Sequence, residues 1–214
     1  MFEIKALLYK ELLIEWKQRY AIGSLLLFVF SAIFIVGLLI HNQLEPKLWN
    51  IIFWIIVFFV SINGVARSFL SESDGQILYL YTLCSPISLM LAKLLFNTLL
   101  MLFVALISHL FYALFLGFPS ENRLLYIGIV ALGGGSLGST LTLLSAIASK
   151  SSNKLTMMAV ISFPVLIPHL SMIIKLTQSA IFNTVQTNDI LYLLSLTFIV
   201  ITVSLLLFPY LWRD

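Results

Sequence analysis

Residues 94–120 read LLFNTLLMLFVALISHLFYALFLGFPS, 27 consecutive positions without a charged side chain. A helix rising 1.5 Å per residue needs about 20 apolar residues to cross a hydrocarbon core of roughly 30 Å. Inside lipid every backbone amide must find its partner within the segment, so a run of this kind is read as a helix. Five further charge-free runs, at 20–44, 48–66, 124–149, 155–174 and 190–212, hold 25, 19, 26, 20 and 23 residues. The sequence therefore predicts an all-α polytopic membrane protein. Its six transmembrane helices fall at about 21–40, 48–66, 94–117, 125–148, 155–174 and 190–211, in one permease domain over residues 1–214.

Composition agrees with that reading. Hydrophobic residues make up 61% of the 214 positions and charged ones 10%, far from the averages of soluble domains. The net charge of +3 is not a nucleic-acid signal, because Lys and Arg sit at span ends. One cysteine, Cys84, excludes an internal disulfide and any Cys-x-x-Cys motif. The first apolar run, from Ala21, is too long for the apolar region of a cleaved signal and reads as an uncleaved signal anchor.

An even number of spans puts both termini on one side. That side carries Lys5, Lys10, Lys17, Arg19, Arg67, Lys93, Lys150, Lys154 and Arg213, against Lys47, Arg123 and Lys175 on the other. The positive-inside bias then places both termini in the cytoplasm of a bacterial inner membrane. Residues 1–20 read as an inner-surface elbow helix with Ile4, Leu8 and Leu12 on one face. Glu11 and Glu15 fall in the same sector and leave that stripe imperfect.

The connection after the second span is the one sizeable inner segment. It carries Glu72, Asp74 and Gly75, then an apolar stretch that Pro86 ends, then Ile87 to Lys93 before the third span. The 18 charge-free residues from Gly75 to Ala92 could make a seventh span. Pro86 and the polar groups between Gln76 and Ser85 argue against it, and a seventh span would spoil the charge bias. An interfacial coupling helix is the better reading, with Glu72, Asp74, Gly75 and Pro86 as candidates for contact with a partner's groove.

No Asp, Glu, Lys or Arg lies within the six runs, which counts against a proton- or sodium-coupled carrier. The chain also lacks a Gly-x-x-x-x-Gly-Lys-Ser/Thr phosphate loop, so ATP hydrolysis would reside in another subunit. His109 and His169 fall inside spans and read as hydrogen-bonding residues rather than haem or metal ligands, since nothing pairs them. No catalytic, metal or cofactor-binding residue stands out. Gly134 and Gly138 form a small-xxx-small pair for helix packing, with Gly135 and Ser139 beside it. Pro164 and Pro168, four apart, predict a kink in the fifth span that either lines a path or shapes the bundle. Trp49 and Trp54 suit an outer aromatic belt.

The ordered set of features resembles the permeases of type-2 ABC exporters, and among them the CcmB family of the cytochrome c maturation system. The matching stretches are Lys10-Glu-Leu-Leu, Arg67-Ser-Phe-Leu-Ser-Glu-Ser-Asp-Gly75 and Ser85-Pro86 with Leu91-Ala-Lys93. Gly133 to Gly138 and Phe163-Pro-Val-Leu-Ile-Pro168 complete the set, which covers essentially the whole chain. The chain departs from the family after Asp74-Gly75, where Gln76 to Tyr79 stand in place of a further acidic residue. It also lacks the tryptophan-rich haem-handling segment of the companion membrane subunit.

The resemblance implies a permease that pairs with a second copy of itself and with an ATP-binding ABC subunit. It also implies a haem-handling membrane subunit and a haem chaperone as partners, with haem as the transported or handled ligand. Another type-2 exporter, of a drug, lipid or polysaccharide, would share the architecture. A non-transporting membrane scaffold is the third reading.

Overall fold

The computed structural model describes all residues except 1, 18, 40–43, 71–79, 81, 82, 121 and 214. The described residues form seven α-helices and no strand. They are α1 (Phe2–Lys17), α2 (Arg19–Leu39), α3 (Pro46–Leu70), α4 (Pro86–Leu116), α5 (Arg123–Ala148), α6 (Lys154–Ile181) and α7 (Thr187–Arg213). Helices α2 to α7 each hold a stretch long and apolar enough to cross a membrane, six in all. The expected coupling helix, with Glu72, Asp74 and Gly75, lies outside the described residues.

Local chemistry sets the helix ends. Ser85 caps α4 by accepting from the Ser88 amide at 3.2 Å, and Pro86 occupies the first turn, where its missing N–H costs nothing. Gly117, at φ +73°, stops the helix in a conformation open to glycine. Asn122 caps α5 through Leu125, and Asn153 caps α6 through Thr156. The sequence places the third span at about 94–117. The helix that holds it begins earlier, at Pro86, and Lys93 lies buried within that helix.

Helix α5 is the centre of the bundle. Of its spanning stretch 78% is buried, against 61% for α3, 17% for α2 and 11% for α7. It packs on α4 most extensively, and also on α3, α6 and α7. Glycine makes the α4–α5 approach close. A Cβ on Gly138 would stand 2.6 Å from the Asn97 carbonyl oxygen, and one on Gly134 would stand 2.7 Å from the Ala105 Cβ. Real side chains do not approach so near, so the two backbones meet where only hydrogen fits. Gly133 opens a different face, where a Cβ would meet the Trp54 ring at 2.5 Å.

Trp54 and Trp49 form no belt facing lipid. Both are fully buried, because their indole N–H groups have partners inside the bundle. Trp54 donates to the Thr177 hydroxyl at 3.0 Å, and Trp49 to the Gly117 carbonyl at 3.1 Å. Pro164 and Pro168 lie within α6 on its exposed face. Their missing amides withdraw the helical partners of the Val160 and Pro164 carbonyls on that side. The rings do not line the bundle interior.

Candidate functional site

Two regions hold the polar chemistry of the bundle, one at each end of α4. At the Lys93 end, α1 docks on α4 and closes over a buried cation. The Lys93 ammonium lies 3.4 Å from Oε1 of Glu11, donates to the Ser68 carbonyl, and sits 4.6 Å from the centre of the Phe69 ring. One turn further along α4, the Asn97 amide donates to the Ser68 hydroxyl at 2.9 Å and to Thr142 at 3.0 Å. Ser145 of α5 adds a bond to the Ala66 carbonyl at 3.2 Å. Two helices, α4 and α5, thereby grip the last turns of α3, immediately before residues 71–79.

The far side of that segment is fixed as well. Leu80 packs with Leu89 and Met90 of α4, and with Leu7 of α1 and Phe208 of α7, in a second hydrophobic cluster. The Cys84 amide donates to the Leu80 carbonyl at 3.2 Å, and Ser85 opens α4. Pro86, half-buried, is thus the one expected coupling residue that the described structure places, and it stands at the start of α4. Glu72, Asp74 and Gly75 fall on the stretch between these two anchored ends.

Sequence reasoning missed this clamp. The signal was present, since Glu11 sits among apolar positions of α1, where an unpaired carboxylate would be costly. A buried partner for it is what the imperfect stripe required.

At the Arg123 end, α3, α4 and α5 share an aromatic cluster around Trp49. Tyr112 donates to the Trp49 carbonyl at 3.1 Å, and Tyr126 donates to the Asn50 side-chain oxygen at 3.2 Å. Asn50 in turn donates to the Ile174 carbonyl of α6 at 3.0 Å.

The two intramembrane histidines divide. Thr140 donates its hydroxyl proton to the Ser136 carbonyl, and so accepts from the His169 Nε2–H, 3.2 Å away. His169 therefore joins α6 to α5 by a hydrogen bond. His109 does not follow the same expectation. It is 6% exposed, and its Nδ1 is buried without a hydrogen-bond partner. The rings of Trp49, Phe53, Phe118 and Tyr126 surround it at centroid distances of 6.2, 5.8, 5.2 and 5.1 Å.

His109 also contributes to the wall of an apolar groove of about 760 Å³ between α4 and α5. Leu110, Leu114, Phe118 and Ile127 form other parts of the wall, and Arg123 stands at its end, 5.9 Å from the centre of the Phe118 ring. Among the described residues, no group of three or more His, Cys, Asp or Glu side chains gathers as a metal site.

A match to the CcmB protein family runs over residues 2–211, nearly the whole chain. The chain belongs to the CcmB family. No curated protein matches the sequence. As a CcmB protein it is the permease component of the cytochrome c maturation transporter, a multi-pass membrane protein with six candidate spans. Its family partner is the CcmA ATPase, where ATP hydrolysis resides. The CcmB assignment gives the two ends of α4 separate meanings. One end holds the approach to the segment that a partner would grip. The other holds the groove and its imidazole.

Proposed function

We infer that this CcmB protein, as the membrane half of an ATP-driven machine, serves haem delivery to c-type cytochromes outside the bacterial inner membrane. The work takes one of two forms, export of haem or ATP-driven release of a haem-loaded chaperone. The family match over residues 2–211 carries the reading. In this proposal the working unit holds a second copy of the chain, the ATP-binding subunit, a haem-handling membrane subunit and the chaperone. Both termini face the cytoplasm, as the nine-to-three division of Lys and Arg argues. The segment 72–86 meets the ATPase there.

The clamp supports that coupling role. Lys93 and Asn97 hold the end of α3 against α4, so a push on residues 71–79 reaches two spans and α1 together. Rigid connection between a coupling segment and packed helices is what lets a distant binding event bias a bundle. No Asp, Glu, Lys or Arg lies within the six charge-free runs, so in this reading the energy source is the partner's nucleotide.

Haem staining of membrane and periplasmic proteins in a deletion strain tests the function. Loss of c-type cytochromes with b-type cytochromes intact is the expected result. Normal c-type cytochromes would refute the maturation role and favour an exporter of another cargo. In a strain with the ATPase inactivated, accumulation of haem-loaded chaperone selects release, and a chaperone empty of haem selects export.

A further inference from the structure

We propose that the exposed face shared by α3 and α6 is the seam between two copies of this chain, closed by Asn63 amides that meet across a two-fold axis. The proposal rests on the reading above that a second copy belongs to the working unit. It adds the face and the polar atoms by which the copies join.

The first observation is Asn63. It lies within the spanning stretch of α3, yet its side chain is exposed rather than turned into the bundle. Its amide donates to the Phe59 carbonyl at 2.9 Å, and among the described residues no second hydrogen bond reaches it. One N–H and the side-chain oxygen are left to face hydrocarbon, which offers neither donor nor acceptor. Polar groups left in that state are costly. Asn50 and Asn97, by contrast, are buried and paired on neighbouring helices.

The second observation lies on α6. Pro164 and Pro168 free the Val160 and Pro164 carbonyls, and both rings stand on the exposed face of the helix. Carbonyls freed in this way within a membrane are commonly satisfied by a neighbouring helix. In a single copy that face of α6 is uncovered.

The two features share one surface. The ring of Phe58 on α3 lies 5.4 Å from that of Phe59 and 5.9 Å from that of Phe163 on α6. Ile55, Phe59 and Asn63 recur every four residues along α3, and Val160, Phe163 and Ile167 form a ridge on α6. All six are exposed. Three spans apart in the chain, α3 and α6 run in opposite directions. Asn63, five residues past Phe58, and Val160, three before Phe163, therefore lie within about one helical turn of the same depth.

A second copy suits this surface by symmetry. A two-fold axis along the membrane normal returns every residue at its own depth, so Asn63 meets the second copy's Asn63. A primary amide is donor and acceptor at once, hence complementary to itself. The freed carbonyls of α6 add acceptors at nearly the same level. Lipid would cover the apolar ridges and leave all of these polar atoms unsatisfied.

Single cysteines at positions 63 and 114, in a Cys84→Ser background, test the seam in membranes holding the full-length chain with its partner subunits. Leu114 is exposed on a different helix, α4. Oxidation should link two copies through 63 and not through 114. Energy transfer between labelled copies of the chain in liposomes, followed as lipid dilutes them, gives the strength of association. Asn63→Leu should weaken it by about fivefold, and Asn63→Gln, which keeps the amide, should stay within about twofold of the wild type. Thr202→Val, at an exposed position of α7, should match the wild type.

Failure of position 63 to link two copies, in a complex shown by mass to hold two, would overturn the proposal. Links from 63 to another subunit alone would overturn it too, making the face that subunit's docking surface. So would unchanged association of Asn63→Leu, the outcome for a residue that meets only lipid. None of these results touches the maturation role, which the deletion strain decides. A complex holding one copy would remove the second copy from the reading above, and the seam with it.

Discussion

Lys93 and Glu11 meet at 3.4 Å across the junction of α4 and α1, with the Lys93 side chain 1% exposed. The cation is further satisfied by the Ser68 carbonyl and the Phe69 ring, so the pair is embedded in a network rather than standing alone. Taking two charges out of water is expensive, and breaking such a pair leaves one charge uncompensated.

Glu11→Ala is therefore expected to destabilise the protein by about 3–5 kcal/mol, the range for removing one partner of a buried ion pair. Glu11→Ala combined with Lys93→Met should recover most of the loss, because no charge then remains buried. Thermal unfolding of the four proteins in nanodiscs gives the coupling energy. Additive effects of the two substitutions would show that the pair does not act as one.

Glycine substitutions in α5 should rank by what their new methyl group meets. Gly138→Ala and Gly134→Ala drive a Cβ against α4 at 2.6 and 2.7 Å, and overpacking of this kind costs about 1–3 kcal/mol. Gly128 has nothing within 4 Å, so Gly128→Ala should be neutral or slightly stabilising. Yield and unfolding temperature of the three variants would expose any other order.

Trp54→Phe removes the indole N–H that meets Thr177 at 3.0 Å and leaves much of the ring packing in place. Interhelical hydrogen bonds in membranes average about 0.6 kcal/mol and reach about 1.7. A cycle with Thr177→Val should return a coupling inside that range. A value near zero would assign Trp54 to packing alone.

Introduced cysteines, in a Cys84→Ser background, report topology. Reagents applied from outside should label position 184, in the connection from α6 to α7, and leave position 153, between α5 and α6, untouched. The reverse pattern would place the termini outside. Crosslinkers at positions 72–80 should reach the ATPase in an assembled, active complex, and their uniform failure there would remove that contact.

The six spans were legible because hydrocarbon excludes charge, and a gap of 19 or more uncharged residues is hard to produce otherwise. The same rule does not report where the helix α4 begins. It treats a lysine as the end of a span, yet Lys93 is neutralised by a carboxylate from a helix distant in sequence. No local pattern reports a partner so far away.

Trp49 and Trp54 show a similar blindness. A tryptophan near a span end reads as interfacial, whereas only the positions of Gly117 and Thr177 reveal that its N–H is already occupied. The histidines were alike in sequence, each a lone polar residue in an apolar run. Their difference arises from one hydroxyl, Thr140, which reaches His169, while Nδ1 of His109 has no hydrogen-bond partner among the described residues.

The joining of Glu11 to Lys93 also sets an order of assembly on the ribosome. Helix α1 is synthesised first, with Lys10 beside its carboxylate, but the buried cation that Glu11 meets is absent until α4 has been made and inserted. Until then Glu11 must stay hydrated, which holds α1 at the aqueous boundary while two spans pass into the lipid. Docking of α1 thus reports that α4 has arrived in register, and a chain whose α4 inserts the wrong way leaves a visible, undocked helix for quality-control proteases to find.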